Sequence, residues 1–321
     1  MAWEPGILSF VVAFVAARLL LGPFAGFALD QPNERSLHER PVPRTGGIAV
    51  LAGIASAVVL LKGAYWLPLA LTLVLAALSL VDDLRDMPTP VRLIAHLTAA
   101  AVLVGSALWP AHPLEVVLLV LAIAWITNLY NFMDGSDGLA GGMALIGFGT
   151  YALAAYVAGD AVLAALCVAI AAAAAAFLVH NFPPARIFLG DVGSIPLGFL
   201  AGGLGLLGWG KGLWPLWFPV LVFGPFIGDA TLTLLRRLAR RERVWQAHRD
   251  HYYQRLVRMG FGHRGTAVVG YLVMAACAAV ALFGRTEPPI IQILASLAVA
   301  AGLGVIAAWV DLRWSRFDKA A

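Results

Sequence analysis

The stretch "AIAAAAAAFL", residues 169–178, sits inside an apolar run from 161 to 180 that carries no Asp, Glu, Lys or Arg. About 20 apolar residues is the length a helix needs to cross a bilayer. The alanines at 171–176 carry almost no side chain, so this helix reads as one that its neighbours approach closely, not one that faces lipid. Working outward, the same pattern of apolar run and short polar connector repeats in both directions.

The whole chain of 321 residues is 61% hydrophobic and only 12% charged. Soluble domains average about 25% charged residues, so the composition is that of an integral membrane protein. Eleven apolar runs are expected to span: 6–27, 47–61, 65–81, 91–109, 114–128, 139–157, 161–180, 194–208, 213–235, 266–283 and 289–309. They leave no room for a separate soluble domain, so residues 1–321 read as one all-α, polytopic membrane domain. The leading "MAWEPG" is acidic and Arg18 interrupts the first run, which favours a retained helix over a cleaved signal. Cys167 and Cys277 lie in apolar runs and read as packing residues.

Charge orients the bundle. Of the 22 Lys and Arg, Arg18 falls inside a span, and Lys62, Lys211 and Arg285 fall in connectors on one side. All the others fall on the opposite side, which is therefore expected to be cytoplasmic, with the N terminus outside and the C terminus inside. Asp82, Asp83, Asp86, Asp134, Asp137, Asp191 and Asp250 map to that same side. Whatever chemistry the chain performs is expected at its cytoplasmic face.

Five polar constellations occupy that face. The first connector, "DQPNERSLHERPVPRTGG" at 30–47, is broken by prolines and presents Arg35, His38, Arg40 and Arg44. Its plain reading is positive-inside retention and headgroup contact. In "VDDLRDMPTPVRLIAH", Asp82 and Asp83 are adjacent carboxylates that repel unless a cation or proton intervenes. They suit Mg²⁺ or a general base, against a solvated helix end, and Arg92 stands where the next helix begins. In "NLYNFMDGSDGLAGG", 128–142, Asn128, Asn131, Asp134 and Asp137 recur every third residue among glycines. That spacing winds slowly round a helix and forms one polar row, with the glycines clearing space for a ligand to approach the backbone.

The fourth, "HNFPPARIFLGDVGSIPLG" at 180–198, offers Asp191 either as a site carboxylate or, with Ser194, as a helix cap. The fifth, residues 236–265, carries nine arginines with His248, His251 and His263. Arginine forks suit phosphate oxygens, whereas a zinc site lacks further ligands nearby. Asp229, inside the ninth run, should be functional or paired, with Arg236 as the candidate partner. The five together suit anionic phosphates and a divalent cation.

The order "HERPVPRTGG", "DDLRD", "NLYNFMDGSDGLAGG", "FLGDVGS" and a late His/Arg loop resembles the polyprenyl-phosphate N-acetylhexosamine-1-phosphate transferases, from about residue 30 to 265. These include the undecaprenyl-phosphate GlcNAc-1-phosphate transferases and the phospho-MurNAc-pentapeptide translocases. The resemblance implies that Asp191, Asn131 and Asp134 hold Mg²⁺, with Mn²⁺ a substitute, and that Asp82 and Asp83 sit near the attacking lipid phosphate, one as its base. It implies a diphosphate contact for Arg92, a uridine pocket with Asp137 and Asn181, and substrate contacts for Arg44, His248, His251 and Arg255. It further implies a bacterial inner-membrane enzyme that moves a sugar 1-phosphate from a UDP-N-acetylated sugar to undecaprenyl phosphate, starting O-antigen or another surface glycan. The bilayer is the expected partner, a homodimer is possible, and no nucleic acid is expected.

One segment departs from the family pattern. Where relatives usually carry a run of histidines, this chain reads "HRDHYYQRL", with Tyr253 and Gln254 in place of two imidazoles. That resembles the O-antigen-type branch. It also makes Tyr253 and Gln254 the expected readers of the donor sugar. Two rivals stand beside this reading. A membrane prenyltransferase would use Asp82, Asp83 and Asp86 as a DDxxD motif, and a proton-coupled transporter would use Asp229 and His96.

Overall fold

The computed structural model describes residues 3–24, 26, 28–30, 41–85, 87–108, 112–243 and 248–319. Arg35, His38, Arg40 and Asp86 lie outside the described residues. The fold is all-helical apart from a two-residue antiparallel pairing of Leu29–Asp30 with Val42–Pro43. In chain order the helices are α1 (Glu4–Leu21), α2 (Gly46–Val58), α3 (Trp66–Arg85), α4 (Thr89–Leu108), α5 (Pro113–Phe132), α6 (Leu139–Val157) and α7 (Ala161–Asn181). Then follow α8 (Asp191–Gly210), α9 (Trp217–Val222), α10 (Gly224–Ala239), α11 (Tyr252–Leu256), α12 (Gly262–Gly284) and α13 (Pro289–Phe317). A π-helical turn, Val257–Phe261, joins α11 to α12.

The helix starts follow local chemistry. Pro5, Pro113 and Pro289 stand in first turns, where a missing N–H costs nothing. Asp160 caps α7 by accepting from the Leu163 N–H at 2.8 Å. The alanine-rich helix α7 lies at the centre, packed on α6, α1 and α2. Ala169, Ala173 and Ala176 are fully buried there, and Ser9 of α1 donates to the Ala169 carbonyl at 2.8 Å. A helix apolar all round belongs in such an interior position. By contrast, α13 exposes Ile290, Leu294, Leu297 and Leu312, the face of a helix solvated by hydrocarbon.

Among the described residues nine helices are long and apolar enough to cross a membrane: α1, α3 to α8, the α11–α12 unit and α13. The chain is thus a multi-pass membrane protein. Two of the eleven expected spans are not single long helices. The run at 47–61 yields α2 with only 13 residues. The run at 213–235 is broken at Phe223 into α9 of 6 and α10 of 16 residues. The cause is Gly224–Pro225: proline supplies no N–H, so it ends one helix and opens the next.

Both short runs still connect the two ends of the bundle. At one end, Tyr65 before α3, Asp160 before α7 and Lys211 after α8 join in one hydrogen-bonded cluster. Arg285, after α12, donates there to the carbonyls of Ala154 and Leu213. The opposite end gathers the C-termini of α3, α5, α7 and α10 with the N-termini of α2, α4, α6, α8 and α12. The described residues of all five polar constellations sit at that second end.

Candidate active site

Two strands of loop set the floor of this end. The Phe188 N–H donates to the Pro43 carbonyl at 2.7 Å, and the Gly46 and Gly47 N–H groups donate to Phe188 and Leu189 at 2.8 Å each. The stitching brings the α2 and α8 N-termini together so closely that a Cβ on Gly193 would meet the Gly47 Cα at 2.6 Å. Gly190 has φ +70°, and a side chain there would strike the Arg44 carbonyl. Glycine is thus required for Arg44 and Asp191 to lie on one surface.

On that surface stands a ring of charge. Arg92 Nη1 bonds Asp82 Oδ2 at 2.7 Å and lies 3.8 Å from Asp191 Oδ2. Asp82 Oδ1 accepts from the Met87 N–H at 2.7 Å, so this carboxylate, only 6% exposed, is fixed from both sides. Arg44 approaches Asp83 Oδ1 at 3.6 Å and Asp30 at 4.0 Å, and its Nη2 donates to the Asp83 carbonyl at 3.1 Å. The Asn131 side chain lies beside Asp191 and opposes the rise that burial imposes on its carboxyl. Burial, then the nearby carboxylates of Asp191 and Asp137, push Asp134 well above the usual carboxylate range. Asp82, Asp83 and Asp191 share the two guanidiniums, with Asp134 close by, so carboxyl groups outnumber arginines at four converging helix ends.

The capping alternative for Asp191 does not hold. Gly190 is the cap residue of α8, and no side chain caps the helix. The three-spaced row winds as expected but divides its labour. Asn128 turns to α4, where it meets His96, and donates within its own helix to Ala124 at 2.7 Å. Asn131 and Asp134 face the acidic cluster. Asp137 accepts from the Ala185 N–H at 2.9 Å and lies 3.5 Å from His263 Nδ1. Asn181 spends both ends of its amide on the backbone, accepting from Gly138 N–H at 2.8 Å and donating to Ile187 at 2.9 Å. Asp137 and Asn181 thus brace the 133–138 loop against the segment after α7.

The glycines of the row make room for the protein's own rings rather than for a ligand. A Cβ on Gly135 would overlap the Tyr253 hydroxyl, and one on Gly142 would overlap the Tyr271 ring. The Tyr253 hydroxyl donates to Phe132 at 3.0 Å and the Tyr271 hydroxyl to Gly138 at 2.7 Å. His263, absent from the sequence-derived site, adds contacts to Ser136 Oγ at 3.1 Å and Asp137 N at 3.2 Å. Its place at the start of α12, facing a loop some 126 positions earlier, leaves no local trace in the sequence.

The described residues of the late basic loop are held largely by internal partners. His251 is buried, with Nδ1 3.0 Å from Asp229 Oδ1, and Gln254 Oε1 accepts from the His251 N–H at 3.3 Å. Asp229 also takes the Tyr252 and Tyr253 N–H groups at 3.0 Å each, so Arg236 is not its partner; Arg236 pairs with Asp311 instead. Arg255 turns away to α13, where Nη1 meets Asp311 Oδ1 at 3.0 Å. His248 stacks near His251, with ring centres 4.9 Å apart; burial, then the charges of His251 and Arg237, bring its pKa down to about 4. Arg44, Arg92, Asp82, Asp83, Asn131, Asp134 and Asp191 are brought together. His248, His251 and Arg255 anchor the neighbouring loop, and Tyr253 and Gln254 have internal partners where sugar contacts were expected.

Among the described residues no three His, Cys, Asp or Glu side chains converge to cage a metal by themselves. A donor set of carboxylates and an amide, incomplete without added oxygens, fits Mg²⁺, which is held by one or two carboxylates plus substrate phosphates and water.

Comparison with known proteins places this geometry. The model of Glycosyl transferase family 4 matches residues 65–208, which include Asp82, Asp83, Arg92, Asn131, Asp134, Asp137, Asn181 and Asp191. The "Probable undecaprenyl-phosphate N-acetylglucosaminyl 1-phosphate transferase" of Bacillus subtilis is 33% identical over 77% of this chain and 74% of its own length. The "Decaprenyl-phosphate N-acetylglucosaminephosphotransferase" of Mycolicibacterium smegmatis is 31% identical over 76% and 72%. An "Undecaprenyl-phosphate alpha-N-acetylglucosaminyl 1-phosphate transferase" of Escherichia coli is 26% identical over 80% and 76%. With its acidic helix-end cluster and this coverage, the chain belongs to glycosyl transferase family 4.

Proposed function

We propose that this protein transfers an N-acetylhexosamine 1-phosphate from a UDP-sugar to a polyprenyl phosphate such as undecaprenyl phosphate, at the cytoplasmic face of a bacterial inner membrane. The named activities of the relatives support this class of reaction. The observation that carries it is the surplus of carboxylates interleaved with Arg44 and Arg92 at one end of the bundle. Carboxylates alone repel a diphosphate, and arginines alone would need no carboxylates; together they suit a phosphate bridged by a divalent cation.

Asp191, Asn131 and Asp134 are the residues that would hold Mg²⁺, which when bound neutralises charge on the donor diphosphate. Arg92 stands between Asp82 and Asp191 and would position a phosphate oxygen there. Asp83, beside Arg44, faces the attacking lipid phosphate and receives its proton if that phosphate arrives protonated. An oxygen of the lipid phosphate forms a bond to the β-phosphorus while the bond to the UMP oxygen breaks, and UMP leaves with the electron pair. One phosphoanhydride replaces another, so positioning and charge neutralisation suffice and no covalent protein intermediate is needed. The lipid-linked product would start O-antigen or another surface glycan.

The test is Asp191→Asn in purified protein. Loss of a charged metal ligand should reduce transfer by about 10³-fold or more while the melting temperature changes little. Near-normal turnover would remove Asp191 from the site.

A further inference from the structure

We propose that the cavity between α11 and the C-terminal turns of α13 binds the phosphate of an anionic phospholipid, at a site separate from the reaction centre. The cavity, of about 480 Å³, is lined by Arg240, Arg255, Arg258 and Lys319, with the Trp314 ring as its wall. It also holds Asp250 and Asp318, but Asp250 is engaged by Arg237, so cationic groups remain in excess. Arg255 is only 7% exposed, and its Nε is buried without a hydrogen-bond partner among the described residues. The guanidinium and ammonium groups that line the cavity are donors suited to phosphate oxygens.

The wall is built to hold charge in place. Arg258 lies 4.6 Å and Arg255 5.7 Å from the centre of the Trp314 ring, cation–π distances that fix both forks. The level of the cavity points to a lipid source for the phosphate. On α13, Leu303, Ile306, Ala307 and Val310 line an apolar groove, and Trp314 and Ser315 continue the same helix face into the basic cavity. At the same height on the opposite face of α13, Leu312 is 64% exposed, so apolar surface gives way to arginine within one or two turns. Trp, Arg and Lys at such a boundary mark the headgroup level of an anionic leaflet.

The phosphate bound here is not the reacting one. Arg255 pairs with Asp311 on α13, which packs on α9 to α12, while the acidic cluster is built on the ends of α3, α4, α5 and α8. An acceptor phosphate has to reach Asp191; a structural lipid does not.

Native mass spectrometry of the purified full chain, titrated with phosphatidylglycerol, tests this without any turnover. We expect one phosphatidylglycerol per chain to bind in a saturable way, with phosphatidylcholine at least about tenfold weaker. Arg258→Gln combined with Lys319→Gln, both on exposed groups, should weaken phosphatidylglycerol about tenfold or more, and Trp314→Ala should do so independently. Unchanged phosphatidylglycerol binding in both variants would overturn the site. Displacement by an equal concentration of polyprenyl phosphate would assign the cavity to the acceptor, and displacement by millimolar inorganic phosphate would make it a free-anion site; either result overturns the proposal.

Discussion

Asp229 sits on an apolar helix and gathers four donors: Thr233 Oγ1, His251 Nδ1, and the Tyr252 and Tyr253 N–H groups. A carboxylate from α10 therefore caps the first turn of α11, where the helix dipole favours negative charge. Asn at this position offers one acceptor oxygen and presents an NH₂ to a backbone N–H. Asp229→Asn should cost about 1–3 kcal/mol, read as a lower melting temperature in detergent; an unchanged melt would contradict the capping role. The sequence marked Asp229 as a paired intramembrane acid but pointed to Arg236, seven positions on. Three of its four true partners lie 22 to 24 positions away across a connector, and such pairing has no periodic signature. Asp82, Asp191 and Asn131 were legible because motif spacing and a resemblance both mark them. The inward turn of Tyr253 was not, since a hydroxyl satisfied by a backbone carbonyl reads in sequence like one free to bind a ligand.

At the scale of elements, eleven apolar runs were readable from length and composition, and each contains a helix. The break at Phe223 was hidden because hydrophobicity continues across it, although Gly224–Pro225 is a recognisable interruption. The segment before α11 was harder still, since an arginine-rich stretch looks solvated while its His251 is buried and its His248 is largely covered beside it. That burial has a pH consequence. The folded-state pKa of His248 falls from 6.5 to about 4, so the unfolded chain takes up the proton first. Stability conferred by neutral His248 is complete above pH 6.5 and is lost as pH falls toward 4. His248→Gln, which does not titrate, should flatten the acid limb of a melting-temperature profile across that window. An acid limb as steep as the parent's would place the titration elsewhere.

For the whole molecule, the two ends carry different chemistry. One is closed by Tyr65, Asp160, Lys211 and Arg285; the other holds the acidic cluster and most of the arginines. By the positive-inside rule, the basic excess predicts that the cluster faces the cytoplasm. Reporter fusions after Lys62, Lys211 and Arg285 should score external and fusions after Arg186 and Arg258 internal; an external score at Arg258 would invert the account. The most direct measurement follows the phosphorus. Protein in liposomes with undecaprenyl phosphate and Mg²⁺ would receive UDP-N-acetylglucosamine radiolabelled on the β-phosphorus. The account predicts label in the lipid fraction, stoichiometric release of UMP, and loss of both on chelation with EDTA. Sugar reaching the lipid while the labelled phosphorus stays on UDP, or transfer that survives chelation, would contradict it.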